Sequence, residues 1–193
     1  MTYSDLLILR HGETEWNLAG RMQGALDSPL TAKGRAQATA QARLLASHGI
    51  DGWACWSSPQ GRAVATAHIA LGPRAADLRH DPRLCEITMG EWTGKLRAEI
   101  AAQVPHLFET DDDLGWYDHA PGGEGIEALY ARCGAFLAGL RGPAVIVTHG
   151  ITSRMLRCHA LGLEPGAYGD LPGGQGVVYH LSGGVQNCLS EGA

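Results

Sequence analysis

Two histidines stand in the same local setting, each directly after a run of apolar residues and directly before a glycine. His11 follows the run Leu6–Arg10, and His149 follows Ala144–Thr148. A neutral imidazole nitrogen is a competent nucleophile near neutral pH and can carry a phosphoryl group transiently. The chain has nine histidines, so any single one could be an ordinary surface or core residue. The repeated setting of these two favours a shared site.

Arginine supplies nearly all of the cationic side chains, since Lys33 and Lys95 are the only lysines among 15 basic residues. Arg10 directly precedes His11, and Arg62 lies one turn into the helix predicted after the second apolar run. The planar guanidinium group matches the oxygens of a phosphate, over which negative charge spreads during phosphoryl transfer. Either arginine could form an ordinary surface ion pair, but beside a nucleophilic histidine the pair indicates phosphoryl chemistry.

Phosphoryl transfer also needs an acid that protonates the leaving oxygen and, for hydrolysis, a base that activates water. The carboxyl groups that could serve are those of Glu86, Glu13, Glu91 and Asp27. A carboxyl group beside a phosphate dianion feels repulsion, which favours its protonated form and keeps the proton available.

Short apolar strands and helices alternate along the chain and would bring these residues together. The predicted strands are Leu6–Arg10, Trp53–Ser57, a weaker Leu78–Leu84, Ala144–Thr148 and a terminal pair, Gly176–Leu181 and Val185–Leu189. The predicted helices run from Thr31 to about His48 and over Gln60–Leu71, Lys95–Gln103, Glu124–Leu140 and Ile151–Leu161. This order predicts an α/β fold, a three-layer α/β/α sandwich with a mostly parallel central sheet. Ligands bind at the carboxyl ends of parallel strands, so the two histidines should meet at one edge of the sheet.

The first long helix carries two specific expectations. Thr31 is placed to cap it, and Ala36, Ala40 and Leu44 share the face expected to turn inward. A complete capping box would have Glu or Gln three residues after the cap. This chain has Gly34 there, so the cap is only half made.

A series of short motifs runs in order through residues 6–151. They are Arg10-His11-Gly12-Glu13-Thr14, Trp16-Asn17, Arg21-Met22-Gln23-Gly24, Asp27-Ser28-Pro29-Leu30-Thr31, Gly34, Ser58-Pro59, Arg62-Ala63, Thr66-Ala67, Leu84-Cys85-Glu86, Gly90-Glu91-Trp92, Pro121-Gly122-Gly123-Glu124 and Thr148-His149-Gly150. Together they resemble the signature of the histidine phosphatase superfamily, which includes the cofactor-dependent phosphoglycerate mutases. The resemblance implies a phosphoglycerate mutase-like fold, and the motifs look most like those of the small phosphatase branch.

The resemblance also implies roles for individual catalytic residues. His11 would be the nucleophile, and its second ring nitrogen is expected to be held by a backbone carbonyl that fixes its tautomer. Arg10 and Arg62 would bind phosphoryl oxygens, and His149 would donate a hydrogen bond to one of them. Glu86 occupies the family's acid position.

Further residues would bind the substrate's phosphoryl group. Asn17 and Gln23 would add neutral donors, and Gly24 would allow close approach of the backbone. Gly12 and Gly150 would let the chain turn tightly beneath the phosphate. Loop polarity alone also accounts for the two amides, and a glycine after a strand is often only a turn.

Transfer of the phosphoryl group to His11 could be followed by either of two reactions, because either water or a second hydroxyl of the substrate can take the group from the histidine. Cofactor-dependent mutases carry a Leu-Asn-Glu-Arg stretch around the acid. The matching stretch here is Leu84-Cys85-Glu86-Ile87, in which no arginine follows the acid. This difference favours a phosphomonoesterase that hydrolyses a small phosphorylated metabolite through a phosphohistidine intermediate. A phosphoglycerate mutase-type phosphoryl transfer and a non-catalytic phospho-ligand-binding protein are the alternatives.

We expect residues 1–193 to form a single domain with an insertion or lid at about 95–123. The substrate should be selected by Lys95–Ala120, which contains Arg97, His106, Phe108, Trp116, Tyr117 and His119. Within it, Asp111–Asp113 is expected to be a solvated loop. Ile151 stands where many relatives have another glycine, which would narrow the floor of the pocket while keeping the backbone donor.

Composition excludes several other classes of function. A net charge of −5 argues against a broad nucleic-acid or membrane-surface partner. The first apolar run is too short for a signal peptide or a spanning helix. The five cysteines lack C-x-x-C spacing, which indicates reduced thiols in a cytoplasmic protein without a zinc site. We therefore expect no metal and no cofactor, and a homo-oligomer is possible.

Overall fold

A six-stranded sheet is the centre of the fold in a computed structural model of the chain, which describes residues 3–109 and 114–191. The strands are β1 (Leu6–Arg10), β2 (Ala54–Ser57), β3 (Arg79–His80), β4 (Ala144–Thr148), β5 (Val178–Ser182) and β6 (Val185–Leu189). Their order across the sheet is β3-β2-β4-β1-β5-β6. The β1–β4, β2–β4 and β2–β3 pairs are parallel, whereas β5 runs antiparallel to both β1 and β6.

Helices cover both faces of this sheet. They are α1 (Glu15–Leu18), α2 (Ala32–His48), α3 (Gly61–Leu71), α4 (Arg97–Gln103), α5 (Gly125–Ala138) and α6 (Gly150–Leu161). Short 3₁₀ turns lie between them, and the segment 105–119 contains two. Within the described ranges, no helix combines the length and the hydropathy that a bilayer-spanning segment requires.

The alternation of side chains along β1 and β4 builds two separate cores. Leu7 and Leu9 face one side, where they belong to the same apolar cluster as Leu45 of α2 and Ala63 of α3. The side chains of β1 that face the other way, with Ile8 among them, belong to a larger cluster that includes residues of α5 and α6. A buried apolar cluster on each face confirms the predicted α/β/α sandwich.

Two expectations about individual elements need correction. The predicted strand Leu78–Leu84 is shortened to β3, because Pro82 begins a 3₁₀ turn at its end. The inward face of α2 is not the one predicted, since Ala36 is exposed and only partial burial is found at the other two positions. The buried face instead consists of Gly34, Ala38, Gln41 and Leu45. Asp111–Asp113 lies outside the described residues.

The buried face of α2 is set by a close approach of two backbones. A Cβ on Gly12 would overlap the carbonyl oxygen of Gly34, and a Cβ on Gly34 would overlap the carbonyl oxygen of Glu13. The Thr31 hydroxyl accepts the hydrogen bond from the Gly34 amide at 3.0 Å, so the predicted cap forms. The capping box is incomplete because a Glu or Gln side chain has no room at position 34. The turn after β1 is thereby fixed against the first turn of α2.

This close approach predicts that Gly34→Ala is strongly destabilising. The added Cβ must displace backbone rather than a flexible side chain, so the free energy of unfolding should fall by more than about 2 kcal/mol. Urea unfolding followed by circular dichroism measures the change. Gly142→Ala is the matched control, because a Cβ there meets no atom within 4 Å. Equal stability of the two variants would contradict the proposed packing.

Candidate active site

The carboxyl end of β1 borders a cavity of about 140 Å³. Seven of the residues singled out from the sequence line it: Arg10, His11, Asn17, Gln23, Gly24, Arg62 and Glu86. His149 is fully buried beside it, with its ring centroid 5.2 Å from that of His11. Gly150 lies next to the guanidinium group of Arg10, since a Cβ on it would be 3.4 Å from Arg10 Cζ. The fold therefore brings the sequence-derived site residues together.

His11 is held in one tautomer by its own backbone neighbour. Its Nδ1 lies 2.7 Å from the carbonyl oxygen of Gly12, an acceptor that requires the proton on Nδ1. Nε2 therefore carries a lone pair. The Gly12 amide in turn donates to the Thr66 hydroxyl at 3.0 Å, which anchors the turn to α3. The expectation that a backbone carbonyl fixes this ring agrees with the structure.

Both site histidines are kept neutral by their surroundings. Burial lowers the pKa of His11 well below its ordinary value of 6.5, and the positive charges of Arg10 and Arg62 lower it further. Burial also lowers the pKa of His149, again with a contribution from Arg62. A neutral imidazole keeps the lone pair that a nucleophile needs.

His149 is oriented by a serine that the sequence analysis did not single out as a partner. Its Nε2 lies 2.8 Å from Ser58 Oγ, which also accepts a hydrogen bond from the Gln60 amide at 3.2 Å. If the Ser58 hydroxyl donates to Nε2, the imidazole proton is on Nδ1. That Nδ1 is buried and has no partner among the described residues.

Arg62 is almost entirely buried and is oriented by the loop that precedes α2. Its Nη1 donates to the carbonyl oxygen of Leu26 at 2.7 Å and to Asp27 Oδ1 at 3.1 Å. Its Nη2 donates to the carbonyl oxygen of Gly24 at 3.1 Å. Nε has no partner within the described part of the chain, and the same holds for Arg10 Nε. Two arginine Nε–H groups are therefore buried donors available to an anion, and His149 Nδ1–H is a third when the Ser58 hydroxyl donates to Nε2.

Glu86 lies at the first turn of α6, where the backbone amides point at its carboxylate. Its Oε1 accepts hydrogen bonds from the Ile87 amide at 3.0 Å, the Thr152 amide at 3.1 Å and the Thr152 hydroxyl at 3.0 Å. Among the described residues, its Oε2 accepts only from the Ile151 amide, at 3.2 Å. The backbone donor expected at Ile151 is thus directed at this carboxylate.

The other three candidate acids are placed differently. Asp27 pairs with Arg62 and so orients a cation. Glu13 forms an ion pair with Lys33 at 2.9 Å, and the hydrogen bond from that lysine lowers the pKa of Glu13. Glu91 is exposed and does not line the cavity. None of the three is therefore placed to protonate a leaving oxygen in this cavity.

The two amide side chains are fixed through their oxygen atoms. Asn17 Oδ1 accepts hydrogen bonds from the Thr14 amide at 3.2 Å and from Gln175 Nε2 at 3.3 Å. Gln23 Oε1 accepts from the Ser28 hydroxyl at 3.2 Å. With the oxygens so occupied, the NH₂ groups are the atoms left to contact an anion.

Residues that act through others were missed by the sequence analysis. Gln60 connects the loops, since its Nε2 donates to the Gly24 carbonyl oxygen at 2.8 Å and its Oε1 accepts from the Glu86 amide at 2.9 Å. Gln175, in the loop before β5, likewise donates to the His11 carbonyl oxygen and to Asn17 Oδ1. Such contacts join residues far apart in sequence, so no local motif reports them.

The segment expected to select the substrate contributes only part of what it was predicted to. Arg97 and Tyr117 line the cavity. Phe108 and Trp116 pack beneath the guanidinium group of Arg97, with Cζ 5.0 and 5.8 Å from the two ring centroids. His106 and His119 are exposed and do not line the cavity.

Similarity to known proteins agrees with this geometry. The family model of the histidine phosphatase superfamily, branch 1, matches residues 6–188. Phosphoserine phosphatase 1 of Hydrogenobacter thermophilus is 31% identical over 164 residues, covering 82% of this chain and 77% of the relative. A probable phosphoglycerate mutase of Salmonella newport is 36% identical over 170 residues, covering 81% and 74%. The structure of a mycobacterial glucosyl-3-phosphoglycerate phosphatase with VO₃ superposes with a TM-score of 0.78 at 32% identity, covering 97% of each chain.

The environment of His11 predicts that its imidazole stays neutral at pH values below the ordinary histidine pKa of 6.5. In ¹⁵N-histidine NMR spectra recorded from about pH 8 to about pH 5.5, Nδ1 should remain protonated and Nε2 unprotonated. Arg10→Gln removes a nearby positive charge, so the pKa of His11 should rise in that variant. A ring that titrates at 6.5 or above in the unmodified protein would contradict this account.

Proposed function

Because this chain belongs to the histidine phosphatase superfamily, we propose that it is a phosphomonoesterase that hydrolyses a small phosphorylated metabolite through a phosphohistidine on His11. The observation that carries the proposal is the convergence of the free Nε2 of His11 with three buried donors that lack protein partners among the described residues. Those donors belong to Arg10, Arg62 and His149. A phosphoryl group satisfies all of them at once.

The first step transfers the phosphoryl group to the protein. The lone pair of His11 Nε2 forms a bond to phosphorus as the bond to the leaving oxygen breaks. The leaving oxygen takes the proton of the Glu86 carboxyl group and departs as an alcohol. Oε2 is the oxygen suited to hold that proton, because Oε1 already accepts three hydrogen bonds and Oε2 accepts one.

The second step returns the protein to its starting state. The Glu86 carboxylate takes a proton from water, and the water oxygen bonds to phosphorus as the bond to His11 Nε2 breaks. Inorganic phosphate leaves, and Glu86 is again protonated. Two guanidinium groups and one neutral imidazole supply the hydrogen-bond donors in both steps, so the proposed chemistry uses no metal.

Hydrolysis is favoured over a mutase reaction by the residue next to the acid. Glu86 is succeeded by Ile87, which is fully buried in the apolar core and offers no cation to the cavity. The arginine that mutases place there is therefore not replaced by another charge at that position. A mutase-type transfer is the second candidate, supported by the similarity to a probable phosphoglycerate mutase.

The cavity also supports a substrate with a second negative charge. Arg21 and Arg97 line it in addition to the two phosphoryl-binding arginines, against a single carboxylate. Tyr117 adds a phenol that stays protonated, because burial and the nearby Glu86 raise its pKa to about 12. Relatives named for phosphoserine and glucosyl-3-phosphoglycerate act on phosphorylated acids. We infer that a phosphomonoester bearing a carboxylate is preferred over a neutral one.

A cytoplasmic location also belongs to this proposal. It is supported by the five cysteines, all of which are free thiols.

The proposed reaction also needs no metal. Within residues 3–109 and 114–191, no three His, Cys, Asp or Glu side chains are grouped so that they could hold a metal ion. Metal independence is therefore proposed from the donor set and is tested by assay in a chelator.

Free phosphate release separates the two candidate reactions. A panel of phosphorylated metabolites, assayed in a chelator, should give phosphate in the absence of any bisphosphate primer. With 3-phosphoglycerate, adding 2,3-bisphosphoglycerate should not convert release into isomerisation. Primer-dependent isomerisation without phosphate release would establish the mutase reaction instead. Binding of phosphomonoesters with no turnover would indicate a binding protein.

The second-charge proposal predicts a substrate-dependent effect of Arg97→Gln. For a phosphorylated carboxylic acid, kcat/KM should fall about fivefold, mainly through KM, because an exposed charge pair contributes about 1 kcal/mol. For p-nitrophenyl phosphate the value should change by less than about twofold. Arg35→Gln is the control, since this exposed arginine on α2 does not line the cavity. An equal loss for both substrates would contradict the proposal.

A further inference from the structure

The backbone pairing between β1 and β5 ends at Leu9, one residue before the site residues Arg10 and His11. The last pair in register is Leu9 with Val178, so the carbonyl groups of Arg10 and His11 continue past the ladder. Beyond the end of the pairing, side-chain amides donate hydrogen bonds to these carbonyl groups. Gln41 Nε2 donates to the carbonyl oxygen of Arg10 at 2.9 Å and to that of Val177 at 3.1 Å.

Gln175 repeats this arrangement one residue further along. Its Nε2 donates to the carbonyl oxygen of His11 at 3.2 Å and to Asn17 Oδ1 at 3.3 Å. One carboxamide from the far end of the chain thus contacts both the backbone of the nucleophile and a side chain that lines the cavity.

The hydrogen bond from Gln175 Nε2 decides which end of the Asn17 side-chain amide faces the substrate. An amide oxygen toward a phosphoryl group is repulsive, whereas the NH₂ group is a donor. Asn17 Oδ1 is held away from the phosphoryl position by two donors, the Thr14 amide and Gln175 Nε2. Removing one of the two donors weakens the preference for the productive orientation.

The loop that carries Gln175 is held in place by hydrogen bonds from side chains. The carbonyl oxygens of residues 171, 172 and 173 each accept a hydrogen bond from a side-chain donor. The donors are Arg154 Nε at 3.0 Å, Arg157 Nη2 at 2.8 Å and Tyr179 Oη at 2.7 Å. A loop so anchored can hold an amide within a few tenths of an ångström of its place.

One of these anchors is a buried arginine. Arg157 is almost inaccessible to solvent and lies over the Tyr179 ring, with Cζ 3.9 Å from the ring centroid. It has no carboxylate partner among the described residues, and burial lowers its pKa to about 10. Burying a guanidinium group without a carboxylate is costly, so its retention beneath this loop indicates that the position of the loop matters.

We propose that Gln175 is a positioning residue, whose carboxamide holds the backbone carbonyl of His11 and turns the amide nitrogen of Asn17 toward the phosphoryl group. It does not touch the substrate in this role. The inference rests on the proposed function for the identity of the site, and it concerns how that site is kept in order.

The test compares two variants of Gln175 with a matched glutamine. Gln175→Met keeps the length and removes the donor, so kcat/KM should fall about tenfold, as expected for the loss of about one hydrogen bond of 1.4 kcal/mol. Gln103→Met is the control, because Gln103 is an exposed glutamine on α4 that neither lines the cavity nor contacts the loop that carries Gln175. That control should stay within about twofold of the wild type.

Gln175→Glu gives a readout that a purely structural role would not move. At neutral pH its carboxylate faces two oxygen acceptors, so the loss should exceed that of Gln175→Met. Protonation restores a donor, so the activity relative to wild type should rise as the pH falls from about 7 to about 5. The ratio for Gln175→Met should stay constant over that range. If Gln175→Met fails to fold, this pH-dependent recovery is the deciding measurement.

Calorimetric binding of inorganic phosphate tests the inference independently of turnover. Affinity should fall in Gln175→Met and stay unchanged in Gln103→Met, even if the wild type hydrolyses no substrate and the proposed function fails. In a double-mutant cycle with Asn17→Ala, the effect of Gln175→Met should be smaller than in the wild type. Wild-type kinetics and phosphate affinity in Gln175→Met, or an equal loss in Gln103→Met, would overturn the proposal.

Discussion

The hydrogen bond from His11 Nδ1 to the carbonyl oxygen of Gly12 is the interaction on which the rest of the site depends. It places the lone pair on Nε2, and the proposed chemistry begins with that lone pair. The bond exists because the chain turns sharply after β1 and packs against the first turn of α2. That packing leaves no space for a side chain at Gly12 or Gly34. A steric constraint on two glycines therefore sets the tautomer of the proposed nucleophile.

The charges around this imidazole have opposite effects on folding and on catalysis. Burying Arg62 costs free energy, which is offset by two backbone carbonyl groups and by Asp27. Burial also leaves the Nε donors of Arg10 and Arg62 without partners in the described part of the protein. In a site that excludes water such donors attract a phosphoryl group more strongly than they would in bulk solvent. Burial and the same positive charges lower the pKa of His11, so the groups proposed to bind the phosphoryl group also favour the neutral form of the proposed nucleophile.

The sequence was most informative where function is concentrated at strand ends. Placing His11 and His149 directly after apolar runs predicted their meeting at one edge of the sheet, and the fold brings them together. The inward face of α2 was predicted wrongly because the helix is rich in alanine and offers little hydrophobic contrast. Its position is decided instead by the backbone contact at Gly34 and by Gln41, a polar residue drawn inside to bind carbonyl groups. The contact of Gln175 with His11 spans most of the chain, and no local pattern predicts a bond of that kind.

Identifying the phosphorylated atom tests the central claim most directly. The protein is mixed briefly with a hydrolysable phosphomonoester, quenched in alkali and digested, and the phosphopeptide is analysed by mass spectrometry and ³¹P NMR. We predict 3-phosphohistidine, phosphorylated on Nε2, at His11, and none at His149. Phosphate on Nδ1 of His11, on His149, or on Ser58 would contradict the account.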